Sequence, residues 1–294
     1  MSMAVFSAML AGCSSAGTDT GTASGGSADT SAASAGAAVS SDSSVLKIGL
    51  NSDPPSYDPA DFNSTRATLA CYSCYDTLLQ FSDDGTELLP DLAESWEQKD
   101  DLTYVYKIRS DVLFNDGTPM TMDDVLFSLN RILDPDTAAS MSYLFENVES
   151  FEQTGDYELT VHLKTPDATW KFVPATSPCT IVSKAAVEAA GDEYGAITSL
   201  TCVGTGPYKL ESWTSGSEIT LVKNENYWGD KSTQLWDKVV YNIIPDDTSM
   251  ALAAQSGQLD YVHIMGFAPD TFSIYENIGS MTFNSYESTN SSYI

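Results

Sequence analysis

The chain has 294 residues, with 41 Asp and Glu against 13 Lys and Arg, and its formal net charge is −28. Such an acidic surface repels phosphate backbones, which excludes nucleic-acid binding that depends on Lys and Arg displacing counterions. Hydrophobic residues make up 42% of the chain and aromatic residues 11%. Because this is enough apolar material for a folded core, the composition also excludes a disordered acidic chain.

The N-terminus predicts a lipid anchor. A short apolar run, residues 3–10, leads into Leu10-Ala11-Gly12-Cys13, a lipobox in which small residues precede the cysteine that receives a diacylglycerol. The run is too short for a membrane-spanning helix, which takes about 20 residues. The first basic residue is Lys47, so the basic start of a signal peptide is lacking and we expect the true start codon upstream. Residues 1–13 are interpreted as a lipoprotein signal segment; the alternative is a buried apolar segment with an ordinary cysteine.

Residues 14–44 are almost entirely Ser, Thr, Ala and Gly. Such a segment has little to bury, and its composition is typical of a flexible linker. A lipid-anchored cysteine followed by a polar linker indicates a protein held at the outer face of the bacterial cytoplasmic membrane.

The first predicted strand covers residues 45–50 and ends at Asp53-Pro54-Pro55, where the prolines stop any strand ladder. A helix is predicted next, capped by Asn63 or Ser64 and reaching about Phe81, with apolar residues at helical spacing.

Residues 90–132 carry the strongest local signals. Alternating residues from Leu102 to Ile108 predict a strand with one buried face, and Asn115-Asp116-Gly117 predicts a turn. Thr121 and Asp124 form a capping box at the start of a helix that Asp134-Pro135 ends.

Further elements alternate along the rest of the chain. A strand at residues 159–163 places His162 on its polar face, and a short helix covers residues 185–190. A hairpin turning at Ser215-Gly216 is followed by a strand at 239–244, a helix ending at Gly257 and a strand at 259–262. Because strands and helices are interleaved without a repeat, the predicted fold class is α/β (mixed α+β) with a mixed sheet.

Three long blocks of this sequence resemble one family. The first, at 90–132, begins PDLAESWE and continues LR-x-x-V-x-F-x-DGTP-x-T-x-x-DV-x-FS-x-x-R. The second, at 203–229, is VGTGPYKLESWTSGSEITLVKNENYWG, and the third, at 237–262, is DKVVYNIIPDDTSMALAAQSGQLDYV. In this order they are similar to the extracytoplasmic solute-binding proteins, family 5, of peptide/nickel ABC importers, and the resemblance runs from about Leu46 to the last residue.

The resemblance implies a periplasmic-binding-protein-like fold of type II, in which two lobes close on a ligand. Residues 45–286 correspond to the first lobe, with a core sheet from 45–57 and 200–286 and an inserted subdomain at 58–199. Residues 287–294 correspond to the start of the strand that crosses into the second lobe, and the second lobe itself has no counterpart here. The implied protein is a monomer without enzymatic activity or cofactor that captures small peptides and delivers them to the transmembrane subunits of an ABC permease.

The family also implies where a ligand would make contact: in the loop a few residues beyond Asp58-Pro59, in the loop after the strand at 259–262, and in the crossing strand. The corresponding residues here are Asn63, Ser64, Thr65, His263, Ile264, Met265 and Tyr293. Residues 63–65 have an equally good interpretation as a helix cap, and His263 as an ordinary residue at a strand end. An aromatic side chain at Tyr293 would stack on the ligand.

Four cysteines remain beside Cys13, and disulfides form readily outside the cytoplasm. Cys179 and Cys202 flank the short helix at 185–190, which makes them the candidate disulfide. Cys71 and Cys74 fall within the predicted helix, where they are interpreted as packing residues rather than a redox pair.

Other functions find little support in the sequence. The two histidines, His162 and His263, lie far apart and no four-ligand metal spacing is present. The chain contains no P-loop, HExxH or G-x-S-x-G motif. The alternatives that stay open are the same fold binding a nickel chelate, a glycan or another solute, a secreted hydrolase using a pair of carboxylates, and a surface lipoprotein without a ligand.

Overall fold

The computed structural model describes residues 44–62, 69, 71–262, 274–279 and 281–282. The strands in these residues are β1 (Val45–Leu50), β2 (Leu79–Phe81), β3 (Leu88–Pro90), β4 (Ala93–Asp100), β5 (Thr103–Ile108), β6 (Val148–Gly155), β7 (Glu158–Leu163), β8 (Tyr208–Thr214), β9 (Glu218–Lys223), β10 (Lys238–Ile243) and β11 (Tyr261–Val262). The α-helices with both ends in the described residues are α1 (Met122–Leu133), α2 (Lys184–Ala190) and α3 (Asp247–Gln255).

One sheet has five strands in the order β11-β1-β10-β9-β8. Strand β1 is parallel to both of its neighbours, β10 and β11, whereas β8, β9 and β10 pair antiparallel. The sequence VLKIGL suits the interior of the sheet, because a strand covered on both faces reads as a nearly continuous apolar run. The mixed sheet predicted from the sequence is therefore confirmed.

A second sheet has four antiparallel strands in the order β4-β5-β7-β6. Tyr104, Tyr106 and Ile108 of β5 are all buried, which confirms the predicted alternation for these residues, but Leu102 lies before the strand and is 37% exposed. His162 lies on the other face of β7 with 36% of its side chain exposed, and its Nε2 is 3.7 Å from the Glu152 carboxylate. The interpretation of His162 as a solvated strand residue is also confirmed.

Helix α1 begins at the capping box that the sequence predicts. The Thr121 N–H donates to the Asp124 carboxylate at 2.9 Å, and the Asp124 N–H is directed back to the Thr121 hydroxyl. These bonds satisfy two N–H groups that the helix cannot pair internally. The helix then buries Val125 and Leu129 completely against the hydrophobic cluster of the four-stranded sheet.

The predicted helix through Phe81 is wrong at its C-terminal end. Leu69 and Cys71 are helical, but Tyr72–Cys74 is a 3₁₀ turn and Leu79–Phe81 is strand β2, paired with β3. Two successive leucines at 78 and 79 are both buried. A short run of buried leucines is compatible with a buried helix or a buried strand, and the pairing of Leu79 with Pro90 and of Phe81 with Leu88 makes it a strand.

The buried side chains fall mainly into two large clusters. One lies with the four-stranded sheet and α1 and contains Trp170, and the other lies with the five-stranded sheet and contains Tyr57 and Tyr241. A smaller cluster joins α3 to Leu259. The predicted boundaries of the inserted subdomain, 58 and 199, stay a prediction.

Candidate functional site

Three parallel strands end at one edge of the five-stranded sheet. In the register of the sheet, Leu50 of β1 lies opposite Ile243 of β10, and Gly49 lies opposite Val262 of β11. The segments that follow these strands therefore leave the sheet from the same side. In open α/β sheets, ligands bind in the crevice outside the carboxyl ends of such strands. We call residues 51–62, together with the ends of β10 and β11, the carboxyl edge.

Asp53 holds the first part of the carboxyl edge in place. Its carboxylate accepts hydrogen bonds from Trp213 Nε1 at 2.8 Å, from the Gly216 N–H at 2.7 Å and from the Ser215 hydroxyl at 3.1 Å. All three donors belong to the β8–β9 hairpin, whose turn lies beside the end of β10, so one side chain ties the segment after β1 to the antiparallel part of the sheet. Hydrogen bonds to a charged acceptor are stronger than neutral ones.

Asp58 and Arg131 hold the second part. The guanidinium of Arg131 in α1 donates to both carboxylate oxygens of Asp58, at 2.7 Å for the bond to Oδ1. The Arg131 side chain is 16% exposed and that of Asp58 is 9% exposed. Burial lowers the pKa of Arg131, but the hydrogen bond and charge of Asp58 outweigh it and the net shift is upward. Asp58 also accepts the Ala60 N–H at 3.0 Å, which caps the turn Pro59–Asp61.

In the sequence, the predicted contact residues follow the last described residue of two segments. Asn63, Ser64 and Thr65 follow buried Phe62, and His263, Ile264 and Met265 follow Val262 at the end of β11. All six, and Tyr293 and Cys13 as well, lie outside the described residues, so their roles stay predictions. The two loops that carry six of them begin at the same edge of the sheet, which the sequence alone does not reveal.

The candidate disulfide between Cys179 and Cys202 is wrong for this structure. All four cysteines in the described residues carry free thiols, so the pairings are distinguished by which cysteines share a core. Cys179 is buried in the cluster of the four-stranded sheet, and Cys202 is buried in the cluster of the five-stranded sheet. Flanking the same short helix brings two residues near each other in sequence but does not place them in the same core.

Two neighbouring carboxyl groups, those of half-buried Asp76 and buried Asp91, have no signal in the sequence. The Asp76 carboxylate accepts a hydrogen bond from Trp228 Nε1 at 2.8 Å, and the Asp91 carboxylate accepts one from the Thr77 N–H at 3.1 Å. The guanidinium of Arg109 lies 4.5 Å from the centre of the Trp228 ring. The partners are up to 152 residues apart, so no local pattern indicates the cluster.

Both carboxyl groups have raised pKa values. Burial raises the pKa of Asp76, and burial together with the charge of Asp76 raises that of Asp91 well above its usual value near 3.8. Asp91 is buried and Asp76 is half-buried, and both carboxylates are held by hydrogen bonds from neighbouring groups, which suits a structural role better than the acid–base chemistry of a hydrolase.

The pair predicts how stability depends on pH. The native state keeps protons that the unfolded chain releases above about pH 4, so the pair lowers the free energy of unfolding as pH rises from there toward the native pKa values. Each group contributes a slope of at most about 1.4 kcal/mol per pH unit. We expect Asp91→Asn to flatten this decline in urea unfolding between pH 4.5 and 6.5. The exposed Asp83→Asn is the control, and an equal slope in both variants would contradict the prediction.

The described residues include neither a membrane-spanning helix nor a metal-binding group of side chains. None of their helices is both long and apolar enough to cross a membrane. No group of three or more His, Cys, Asp or Glu side chains in the described part of the chain is arranged to hold a metal ion.

Comparison with known proteins decides the family. The model of the bacterial extracellular solute-binding proteins, family 5 Middle, matches residues 87–294. The chain belongs to this family. The probable D,D-dipeptide-binding periplasmic protein DdpA of Escherichia coli K12 is 29% identical over 222 residues, which are 74% of this chain and 42% of DdpA. The resemblance found in the sequence is thereby confirmed.

Solved structures agree with this family assignment. OppA of Burkholderia pseudomallei matches with a TM-score of 0.72 and 25% identity, over 80% of this chain and 49% of OppA. DppA of Helicobacter pylori, solved in complex with the peptide STSA, matches with a TM-score of 0.65 and 30% identity, over 73% of this chain and 45% of DppA. The chain spans less than half the length of these relatives, and its fold is part of the two-lobe fold that the sequence predicts.

Proposed function

We propose that this chain supplies the first lobe of an extracytoplasmic receptor that captures small peptides and delivers them to an ABC permease. The observation that carries the proposal is the family match over residues 87–294. The convergence of three parallel strands at the carboxyl edge supports it, because that edge offers a place for a ligand. The receptor acts by binding and release, without catalysis or a cofactor, and as a monomer.

The carboxyl edge suits an extended ligand held by its backbone. Peptide backbones pair readily with exposed strand ends and loops, and this gives affinity that is independent of side chains. We propose Asn63, Ser64 and Thr65 as contacts on one side and His263, Ile264 and Met265 on the other. Tyr293 would stack on the ligand. The anchors at Asp53 and Asp58 keep the segment before residue 63 in one position, which lowers the entropy lost on binding.

Peptides are preferred over other solutes because two relatives point to them: DdpA is a probable D,D-dipeptide-binding protein, and DppA was solved in complex with the peptide STSA. A nickel chelate, a glycan or another solute is the alternative ligand. A single lobe presents only part of the closed site, so we expect millimolar rather than micromolar affinity from this chain alone, a loss of about 4 kcal/mol.

Hydrogen exchange of the full chain tests the proposal. We expect Ala-Ala-Ala at 10 mM to slow the exchange of amides in residues 51–62 and after Val262, and to leave those of β4 and β5 unchanged. Histidine-bound nickel and cellobiose are the comparison ligands. Protection by either of these but not by tripeptides would overturn the peptide assignment, and cleavage of the tripeptide during the experiment would favour a hydrolase.

We also propose that Cys13 is lipidated and that residues 14–44 tether the lobe to the membrane. The support is the lipobox Leu10-Ala11-Gly12-Cys13 and the polar composition of the following residues. We expect Cys13→Ala to move the protein from the membrane fraction to the medium, because the thiol is the acylation point. Fractionation with immunoblotting measures this, and Ser14→Ala is the matched control. A Cys13→Ala protein that stays in the membrane fraction at the parent level would contradict the lipobox.

A further inference from the structure

Cys71, Cys74 and Cys202 share one buried cluster. Their exposed fractions are 0%, 0% and 7%, and all three belong to the cluster of the five-stranded sheet. Cys71 lies at the end of a helical segment, whereas Cys74 is the last residue of the turn Tyr72–Cys74. The family function does not require thiols in this place, so the cluster needs an explanation of its own.

The backbone brings the segment after Cys202 against Cys74. The Gly206 N–H donates to the Cys74 carbonyl oxygen at 3.1 Å. A Cβ atom built on Gly204 would lie 2.2 Å from the same oxygen, a distance that real side chains do not reach. Glycine at 204 therefore permits a contact that any other residue would prevent. The Cys202 carbonyl oxygen accepts a hydrogen bond from Asn115 Nδ2 at 2.9 Å, which fixes the backbone of Cys202.

The side chains follow the same arrangement. Cys74 and Cys202 are buried in the same cluster, and Gly204 and Gly206, which follow Cys202 closely in the chain, pack against the Cys74 carbonyl. Burial raises the pKa of the Cys74 thiol, and the side chain of Cys202 raises it further. The Cys71 thiol instead donates to the Ser56 carbonyl oxygen at 3.7 Å. Cys74, whose backbone contacts the segment after Cys202, is therefore the first candidate partner of Cys202, and Cys71 is the competing cysteine because Cys202 lies close enough to influence its thiol as well.

We propose that Cys74 and Cys202 form a disulfide when the protein folds outside the cytoplasm. The bond would join the segment that follows the carboxyl edge to the segment that leads into β8. It would close a loop of about 130 residues, the kind of long loop for which a cross-link restricts the unfolded chain most. The inference depends on export, which the family implies, and is independent of which solute binds.

The chemistry needs an oxidant, which we take to be an oxidised thiol–disulfide oxidoreductase of the extracytoplasmic space. One cysteine thiolate of this chain attacks the disulfide of the oxidoreductase and forms a mixed disulfide. The second cysteine thiolate then attacks the mixed disulfide and releases the oxidoreductase as a dithiol. The two protein sulfurs lose two protons and two electrons, and the oxidoreductase gains them. Because both thiols are buried after folding, the reaction takes place before the core is fully packed.

Mass mapping of the full chain isolated from cell envelopes tests the pairing. The protein is unfolded in denaturant at low pH, which prevents thiol–disulfide exchange, and its free thiols are then alkylated during a brief shift to neutral pH. The alkylated protein is cut with trypsin in the absence of reductant. Cleavage at Arg66, Lys99, Lys171, Lys184 and Lys209 places Cys71 and Cys74 on residues 67–99, Cys179 on 172–184 and Cys202 on 185–209. We expect 67–99 linked to 185–209, with Cys179 alkylated. Free thiols throughout, a link between 172–184 and 185–209, or a bond within 67–99 would each overturn the proposal.

Substitutions identify which cysteine of residues 67–99 takes part. Cys71→Ala is the matched control for Cys74→Ala, because both side chains are completely buried in the same cluster. We expect the linked peptide to persist in Cys71→Ala and to vanish in Cys74→Ala. Refolding in reductant should lower the melting temperature of the parent and of Cys71→Ala by about 10 °C and leave that of Cys74→Ala unchanged. A linked peptide that survives Cys74→Ala would overturn the pairing. If a variant fails to fold, peptide mapping of the parent protein still shows whether residues 67–99 are linked to residues 185–209.

Discussion

Replacing Gly195 by alanine is expected to lower the free energy of unfolding by about 3 kcal/mol, the sum of backbone strain and overpacking. Gly195 has φ of +73°, a conformation that L side chains rarely adopt. A Cβ atom on it would lie 2.1 Å from the Asp58 nitrogen and 2.7 Å from the Tyr57 carbonyl carbon. Because these are backbone atoms, no change of rotamer relieves the clash, and the carboxyl edge itself must move.

The contact around Gly195 explains why the edge is affected. The Tyr57 N–H donates to the Gly195 carbonyl oxygen at 2.8 Å, and the Ser56 hydroxyl is directed to the same oxygen. A displaced residue 195 therefore pulls on the segment that Asp58 anchors. We expect Gly195→Ala to speed hydrogen exchange in residues 51–62 as well as to lower the urea midpoint.

Gly257 provides the matched control for this prediction. Its φ is +74°, nearly the same as at Gly195, but a Cβ atom there would meet nothing within 4 Å. Gly257→Ala should cost about 1 kcal/mol, from backbone strain alone. Equal losses in the two variants, measured by urea unfolding, would show that the close approach at Gly195 contributes nothing and would contradict the argument.

Elements with strong local signals could be predicted from the sequence. The capping box at Thr121 and Asp124, the alternating strand that ends at Ile108 and the hairpin turning at Ser215-Gly216 all form where the sequence indicates. In each case the determining interactions connect residues close in sequence, so that a short window contains the information. The resemblance added what periodicity cannot give, namely the arrangement of these elements in a known fold.

Prediction from the sequence failed where contacts between residues far apart in the chain determine the structure. Leu78 and Leu79 suit a buried helix and a buried strand equally well, and the pairing of β2 with β3 settles the choice. The partners of Asp53 lie at least 160 residues away, and Arg131 lies 73 residues from Asp58. The sequence therefore indicated the loop that carries the candidate contacts but not the side chains that hold it.

Arg131→Met is the second substitution for which we expect a large effect, about 3 kcal/mol less unfolding free energy. The Arg131 and Asp58 side chains are 16% and 9% exposed, and each is the charge partner of the other. Removing one member of a buried pair leaves the other charge without compensation, which typically costs 3–5 kcal/mol. Methionine keeps the apolar stem of the side chain, so the loss reports mainly on the charge.

The double variant Arg131→Met, Asp58→Asn separates the buried charge from other effects. The asparagine amide oxygen can still accept the Ala60 N–H, as the Asp58 carboxylate does at 3.0 Å, so the cap of the turn is kept. We expect the double variant to regain about 1–2 kcal/mol relative to Arg131→Met, because a neutral side chain tolerates burial better than a carboxylate.

Lys238→Met is the control for the loss of a basic side chain. Lys238 pairs with Glu211 at 2.7 Å, but both side chains are 44% exposed and solvent screens their attraction. Its urea midpoint should equal that of the parent within error. If Arg131→Met lowered the midpoint no more than Lys238→Met does, the buried pair would not stabilise the fold, and the junction between α1 and the carboxyl edge would have to be held by the packing of Phe62 and its neighbours instead.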